Sequence, residues 1–314
     1  MISILLAAYN GEKYITDLIE SILAQTCQDF RLYIRDDKST DSTYYIITEY
    51  EMKNPGKIFT ERNEENTGGA HHNFLKMTID HKDDYVMLCD QDDVWLPEKI
   101  EKSLSKIKEM EQEYGTSTPV LIHTDLKVTD ENLNVISESY RQMANISFKY
   151  NALNNLLAMN ILTGHTMMYN RALADLIVSE PDYFVMHDWW LSLIGAAFGK
   201  IAALEEPTSL HRQHLDNSVG AKKALSPQYI KYVLTHIEVM AEKLSNSYKQ
   251  AWSFLKLYGD NLTEEQKELV AAHAAMPILT KKEKLRTMIR NKTFLYGIAR
   301  KTAQVIVLLR SKEI

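Results

Sequence analysis

The residues most able to do chemistry in this chain are the run Asp90-Gln91-Asp92-Asp93, which follows the apolar stretch at residues 85–89. Carboxylates crowded at the end of a buried strand form a hard-oxygen site suited to Mg²⁺ or Mn²⁺, and such an ion would offset their repulsion. The plainer reading is an acidic turn capping the next helix. The order strand, D-Q-D-D, Val94-Trp95-Leu96-Pro97, helix favours the metal site. A second acidic pair, Asp36-Asp37, ends another apolar run, and the stretch from Asp36 to Ser42 also has the Asp, Ser and Thr content of a turn and helix N-cap. The two roles are compatible, with Asp41 or Ser42 capping.

These residues need elements to position them. Residues 2–8 form a short apolar run, and Ile15, Leu18, Ile19, Ile22 and Leu23 then recur at helical spacing. The alternation repeats: a strand at 30–35 and a helix through Tyr44, Ile46, Ile47 and Tyr50; a strand at 57–60 and a helix near 74–79; a strand at 85–89 and a helix at 98–114 opened by Pro97. Strands alternating with helices predict an α/β fold with a mostly parallel sheet covered on both faces. Such sheets bind ligands beyond the carboxyl ends of their strands. Tyr9-Asn10, Asp36-Asp37, residues 61–66 and residues 90–93 all fall at that edge, so four strand ends converge on one polar, largely acidic site. Past residue 115 the order loosens, with a strand-like run at 120–124, a helix at 152–158 and a further run at 161–169. From Pro227 onward the pattern is helical. We place a boundary near residue 225, giving a catalytic domain at 1–225 and a helical region at 226–314 that associates with membrane or with other copies of the chain.

Bulk properties narrow the class. The chain has 314 residues, 45% hydrophobic and 25% charged, with 11 Gly and 7 Pro, which is a globular composition. Cys27 and Cys89 form no C-x-x-C pair, so neither a disulfide framework nor a cysteine zinc site is expected. The apolar start is too short and lacks the basic leader of an export signal, and no run reaches the length of a spanning helix; a cytoplasmic location is expected. The first turn lacks G-x-G-x-x-G and the chain lacks G-x-x-x-x-G-K-[ST], which sets aside nucleotide-binding oxidoreductases and phosphate-loop NTPases.

Four segments together resemble family-two glycosyltransferases with a GT-A fold: Ala7-Ala8-Tyr9-Asn10-Gly11, residues 36–43, Asn66-Thr67-Gly68-Gly69 and Cys89-Asp90-Gln91-Asp92-Asp93-Val94-Trp95. Their order and spacing match over roughly residues 1–220. The D-Q-D-D-x-W form and the later R-Q-H-x-x-N-x-x-G element, Arg212 to Gly220, are most similar to bacterial rhamnosyltransferases. The resemblance implies a nucleotide-sugar donor, dTDP-rhamnose or a UDP-sugar, and a glycan or lipid-linked acceptor. It places Asp36 or Asp37 on the base N–H, because an ionised carboxylate accepts and cannot donate. It puts Ala8, Tyr9, Asn10 and Asn66 at the nucleotide, Asp90 at the ribose, and Asp92 with His214 at the metal. Asp188, in Met186-His187-Asp188-Trp189-Trp190, stands where the family has its general base; the alternative is an N-capping Asp beside two core Trp residues. Gly164, His165, Arg212 and Asn217 are implied near the acceptor or the diphosphate. His211 replaces the aromatic residue expected there, which leaves a role swapped with His214 open. The His71-His72 pair is read as surface or packing.

Charge is uneven. Residues 221–314 carry 17 Lys/Arg and 8 Asp/Glu, whereas residues 1–220 carry 19 and 34. Residues 281–314 interleave Lys and Arg with Leu285, Met288, Ile289, Phe294, Val305 and Leu309, which suits an amphipathic helix on an anionic membrane surface, with a plain solvated helix as the alternative. An acidic body without a recognised nucleic-acid module sets nucleic acid aside as a partner. A sugar nucleotidyltransferase or a non-catalytic glycan-binding scaffold remain the rival functions.

Overall fold

The computed structural model describes residues 1–214 and 235–311. The expected boundary near 225 and the site residue Asn217 lie outside the described residues. The chain divides into two compact units that interleave in sequence: residues 1–140, 162–180 and 199–221 form one, and residues 141–161, 181–198 and 222–314 the other.

The first unit is built on a nine-stranded sheet. The strands are β1 (Ile2–Ala8), β2 (Phe30–Asp36), β3 (Ile58–Arg62), β4 (Tyr85–Cys89), β5 (Val94–Trp95), β6 (Val120–Thr129), β7 (Val135–Ser137), β8 (Met167–Asn170) and β9 (Lys200–Arg212). The order is β3-β2-β1-β4-β8-β6-β9-β5, with β7 paired to β6. The half β3-β2-β1-β4 is parallel, as the alternation predicts, and helices α1 (Ile15–Leu23), α2 (Thr43–Lys53) and α3 (Ala70–Asp80) connect its strands. Every residue of β1 is buried, the mark of a central parallel strand covered on both faces. Leu18, Ile19 and Ile22 of α1 close over Ile4, Leu6, Leu32 and Ile34 in the main core. Beyond β4 the sheet becomes mixed, because β8 runs antiparallel to both β4 and β6. Helix α4 (Lys99–Tyr114) starts two residues after Pro97.

Strand β9 has no counterpart in the sequence reading. It lies parallel to β6, but the register slips between Thr124/Leu204 and Asp125/Pro207, and again before Lys127/Leu210. Bulges of this kind tolerate a proline that lacks an N–H for the ladder. They also break the alternation by which a strand is read from sequence. The far end of β9 pairs antiparallel with β5, Val94 opposite Leu210 and Trp95 opposite Ser209.

The second unit is helical where described, with helices at Leu153–Ala158, His187–Phe198, Ile237–Tyr258, Glu264–Ala274, Lys281–Asn291 and Ile298–Arg310. Thr263 with Gln266 and Thr280 with Glu283 form capping boxes that satisfy backbone donors at two helix starts. Leu244, Tyr248, Met288, Val307 and Leu308 share one apolar cluster, so the last two helices contribute to a core. Trp190 is fully buried among Phe184, Phe254 and Tyr258.

Candidate active site

Parallel pairing sets Ala8 of β1 level with Asp36 of β2, and Leu6 level with Cys89 of β4. The three segments that follow these strands therefore emerge at one edge, where side chains fasten them together. Asn10 turns the chain with a positive φ of 47°, a conformation that Asn adopts more readily than most residues. Its N–H donates to Ser39 Oγ at 2.9 Å, and its Oδ1 accepts from the Thr40 N–H at 2.9 Å. The Gly11 N–H donates to Thr43 Oγ1 at 2.7 Å, and Glu12 and Asp41 reach across to the backbones of Ser42 and Glu12. Much of the polar content of the 36–43 segment is spent on this seam, and the cap of α2 comes from Asp41, whose Oδ1 accepts from the Thr43 N–H at 3.0 Å.

The two adjacent acids do different work. Asp37 accepts from Asn63 Nδ2 at 2.7 Å, from the Thr67 N–H at 2.9 Å and from Thr67 Oγ1 at 2.8 Å. Asn66 donates to the Asp37 carbonyl at 2.8 Å, so Asp37 and Asn66 hold the loop after β3 in place. Asp36 is fully buried; its Oδ2 accepts from the Ser39 N–H and pairs with Arg62 Nε, both at 3.1 Å. Its Oδ1 has no hydrogen-bond partner among the described residues, although a buried oxygen of this kind is nearly always satisfied. Asp36 is thus the member of the pair with an acceptor left to offer.

In the D-Q-D-D turn, Gln91 makes two bonds with Tyr9: its Oε1 accepts from the Tyr9 N–H and its Nε2 donates to the Tyr9 carbonyl, each at 2.9 Å. Asp92 stands 2.8 Å from His214 Nε2. Burial, reinforced by Asp93 and Asp90, holds the Asp92 carboxyl above its ordinary range. Asp93 is fully buried and lies 3.0 Å from His211 Nδ1 and 3.4 Å from His165 Nε2, while His165 Nδ1 lies 2.9 Å from Asp90. The His165 and His211 rings stack at 5.1 Å, and Gly164 is buried in the short 3₁₀ turn, Gly164–Thr166, that presents His165. Burial opposes charge on His211, but Asp93, then Asp90 and Asp92, outweigh it and push the ring up to about 9. Lys99 is buried beneath this turn, donates to Thr208 Oγ1 at 3.2 Å, and is pushed down to about 8 by desolvation against the opposing pull of Asp93.

Arg212, expected near the acceptor or the diphosphate, is held at the acidic turn by partners within the protein. Its Nε donates to the Asp92 carbonyl at 3.1 Å, its Nη1 to the Glu131 carbonyl at 2.6 Å, and its Nη2 pairs with Asp17 at 2.7 Å. Arg212 is 4% exposed and lies over the Tyr14 ring, so it braces the acidic turn from behind. The His71 and His72 rings lie against each other and His72 pairs with Glu180. Asp188 belongs to the second unit and stands in the first turn of the His187–Phe198 helix, half-buried, its Oδ1 accepting from the Trp189 N–H at 2.6 Å. The contacts of Gln91 with Tyr9, of Asp93 with the two histidines and of Lys99 with Thr208 were not legible in the sequence. The substitution of His211 for an aromatic residue was the one signal pointing to the histidine pair.

A parallel half-sheet continued by antiparallel strands, with an acidic D-x-D turn after the fourth strand, defines a GT-A glycosyltransferase. The sequence matches Glycosyl transferase family 2 over residues 3–177, and the chain belongs to that family. It is 26% identical over 228 residues to the dTDP-rhamnosyl transferase RfbG of Shigella flexneri, covering 71% of this chain and 76% of that protein. Among solved structures it resembles S. aureus TarS in complex with UDP-GlcNAc (TM-score 0.56, 18% identity, 97% of this chain and 90% of that one). It also resembles the mannosyltransferase PcManGT of Pyrobaculum calidifontis with GDP-Man and Mn²⁺ (TM-score 0.52, 16% identity, 98% and 84%). Divalent metal is common in GT-A enzymes, and the donor set here fits one: Asp92 offers a carboxylate oxygen, His214 an imidazole nitrogen 2.8 Å away, and the crowded carboxylates gain from a cation.

Proposed function

We propose that this protein is an inverting, metal-dependent glycosyltransferase that moves a sugar, rhamnose by preference, from a nucleoside-diphosphate donor to a hydroxyl of a cell-surface glycan or lipid-linked precursor. The observation that carries the reading is the convergence of the open Asp36 oxygen and the Asp90–Asp93 turn at the carboxyl ends of β1, β2 and β4. Asp36 accepts the base N–H, the backbone of Ala8, Tyr9 and Asn10 lines the base, and Asp90 faces the ribose. Asp92 and His214 would hold Mn²⁺ or Mg²⁺, which when bound neutralises charge on the diphosphate. Asp188 takes the proton from the acceptor hydroxyl; that oxygen bonds to the anomeric carbon while the nucleoside diphosphate leaves from the opposite face with the electron pair.

The rhamnose preference rests on the similarity to RfbG and on the D-Q-D-D-x-W form. Among the described residues no helix is long and apolar enough to cross a membrane. Peripheral attachment to the inner face of the cell membrane is supported by Ile289, 59% exposed, and Ile298, 85% exposed, close in sequence to the exposed Lys282, Arg286 and Arg290. Incubation with dTDP-rhamnose, UDP-sugars and GDP-sugars in Mn²⁺, read as release of the nucleoside diphosphate, tests the proposal. Release of pyrophosphate from a nucleoside triphosphate and a sugar 1-phosphate, run in parallel, would instead identify a nucleotidyltransferase, and donor binding without turnover a glycan-binding protein.

A further inference from the structure

Three side chains at the acidic turn, Asp93, His165 and His211, take no part in the transfer steps proposed above, yet one ligand-type atom from each lies within 4.8 Å of the others. They come from three separate places in the sequence. Asp93 closes the turn after β4, His165 lies in the 3₁₀ turn before β8, and His211 is near the end of β9, carried next to Asp93 by the Val94–Leu210 pairing. All three are enclosed, with side chains 0%, 5% and 12% exposed in that order.

The His165 ring is oriented from both sides. Its Nδ1 lies 2.9 Å from Asp90 Oδ2, and a carboxylate there accepts an N–H, which leaves a lone pair on Nε2. That Nε2 faces Asp93 Oδ2 at 3.4 Å, and neither atom has a hydrogen-bond partner among the described residues. Two buried lone-pair atoms set face to face repel unless a cation lies between them. Asp93 spans the two rings with its two oxygens, Oδ1 3.0 Å from His211 Nδ1 and Oδ2 3.4 Å from His165 Nε2, each near the roughly 3.3 Å between neighbouring ligands of a tetrahedral ion bound at about 2.1 Å. A carboxylate holding the far nitrogen of a ligating histidine is the usual outer support of such a site, and Asp90 stands in that place.

From this geometry we propose that Asp93, His165 and His211 bind a buried divalent transition ion of the zinc type, in addition to the ion that accompanies the donor at Asp92. Two imidazoles and one carboxylate form a softer ligand set than magnesium prefers. The buried ion fixes Asp93 and, through His165, holds the Asp90 carboxylate toward the ribose. The inference goes beyond the transfer reaction and stands or falls separately from it.

The test is metal content. Full-length protein is equilibrated with Zn²⁺, desalted, and analysed by mass spectrometry of the metal. The expected result is about one zinc per chain in the wild type and in Asp92→Asn, loss of that zinc in His165→Gln and His211→Gln, and a zinc-dependent rise in Tm that those two variants lack. Should either histidine variant fold poorly, the Co²⁺ form of the wild type still decides, because histidine ligation in a four-coordinate site gives an intense visible spectrum. Wild-type protein that retains no zinc, histidine variants that retain all of it, or a Co²⁺ spectrum of the hydrated ion would each overturn the proposal and show that protons alone occupy the pair. Mn²⁺-dependent release of nucleoside diphosphate is measured on the same preparations. Its persistence in zinc-free protein would leave the transferase reading intact while this inference fails.

Discussion

Replacing Gly11 by alanine would set a Cβ 2.4 Å from Gln91 Oε1 and 2.6 Å from its Cδ. The obstacle is the end of a flexible side chain, so the amide swings away and the backbone survives. What is lost is the pair of 2.9 Å bonds by which Gln91 ties the backbone of Tyr9 to the D-Q-D-D turn. Each such bond contributes about 0.5–1.5 kcal/mol net, and because Tyr9 is exposed the lower half of that range applies, giving roughly 1–2 kcal/mol for the pair. The lock joins the base pocket to the metal turn, so its loss is predicted to weaken nucleoside-diphosphate binding in Mn²⁺ by about 5- to 30-fold. Gln91→Ala removes the same two bonds and should cost the same. The double variant should then bind no more weakly than the weaker single one, since the three atoms nearest the alanine Cβ at position 11 all belong to the removed Gln91 amide; the coupling energy would equal a whole single effect. Titration calorimetry on the four proteins gives the cycle, with Tm recorded to exclude unfolding. Additive losses, or a Gln91→Ala protein that binds as well as wild type, would refute the reasoning.

Asp188→Asn keeps shape and removes basicity, so turnover should fall by about 10²–10⁴-fold with unchanged nucleotide affinity; a lowered Tm with activity per folded molecule retained would point to a capping role instead. Asp92→Asn should abolish the Mn²⁺ dependence of donor binding, and calorimetry with and without the ion decides it. Burial pushes His273 down to about 4 from an unfolded value near 6.5, so the unfolded chain binds the extra proton between these values. The stability tied to its neutral form is therefore complete above about pH 6.5 and lost as pH falls toward 4, and a His273→Phe protein should show a flatter Tm profile across that window. Reversing the exposed charges with Lys282→Glu, Arg286→Glu and Arg290→Glu should reduce sedimentation with anionic vesicles at low salt, while deletion of the whole segment is unsuitable because Met288, Val307 and Leu308 lie in the core. Wild-type protein that ignores such vesicles would end the membrane reading.

The sequence by itself determined the parallel half of the sheet and the edge at which the acids gather. Run length and apolar spacing are local properties, and in a parallel α/β sheet every strand delivers its following loop to the same side. The acidic D-x-D turn was legible for that reason, as was the helical character of the residues after 235. Tertiary structure decided what depends on partners far along the chain. Adjacent Asp36 and Asp37 look alike in sequence, yet Asn63 and Thr67 occupy both carboxylate oxygens of Asp37, while one buried oxygen of Asp36 has no hydrogen-bond partner among the described residues. Arg212 is expected near the acceptor or the diphosphate, and only the fold shows Asp17 and the Asp92 and Glu131 carbonyls meeting its guanidinium. Strand β9 hides behind Pro207 and two bulges, and only its register against β5 brings His211 to Asp93 across 118 residues. Periodicity records which face a residue turns to its own neighbours, whereas strand register chooses the distant residue it meets, and the chemistry of this site depends on those distant meetings.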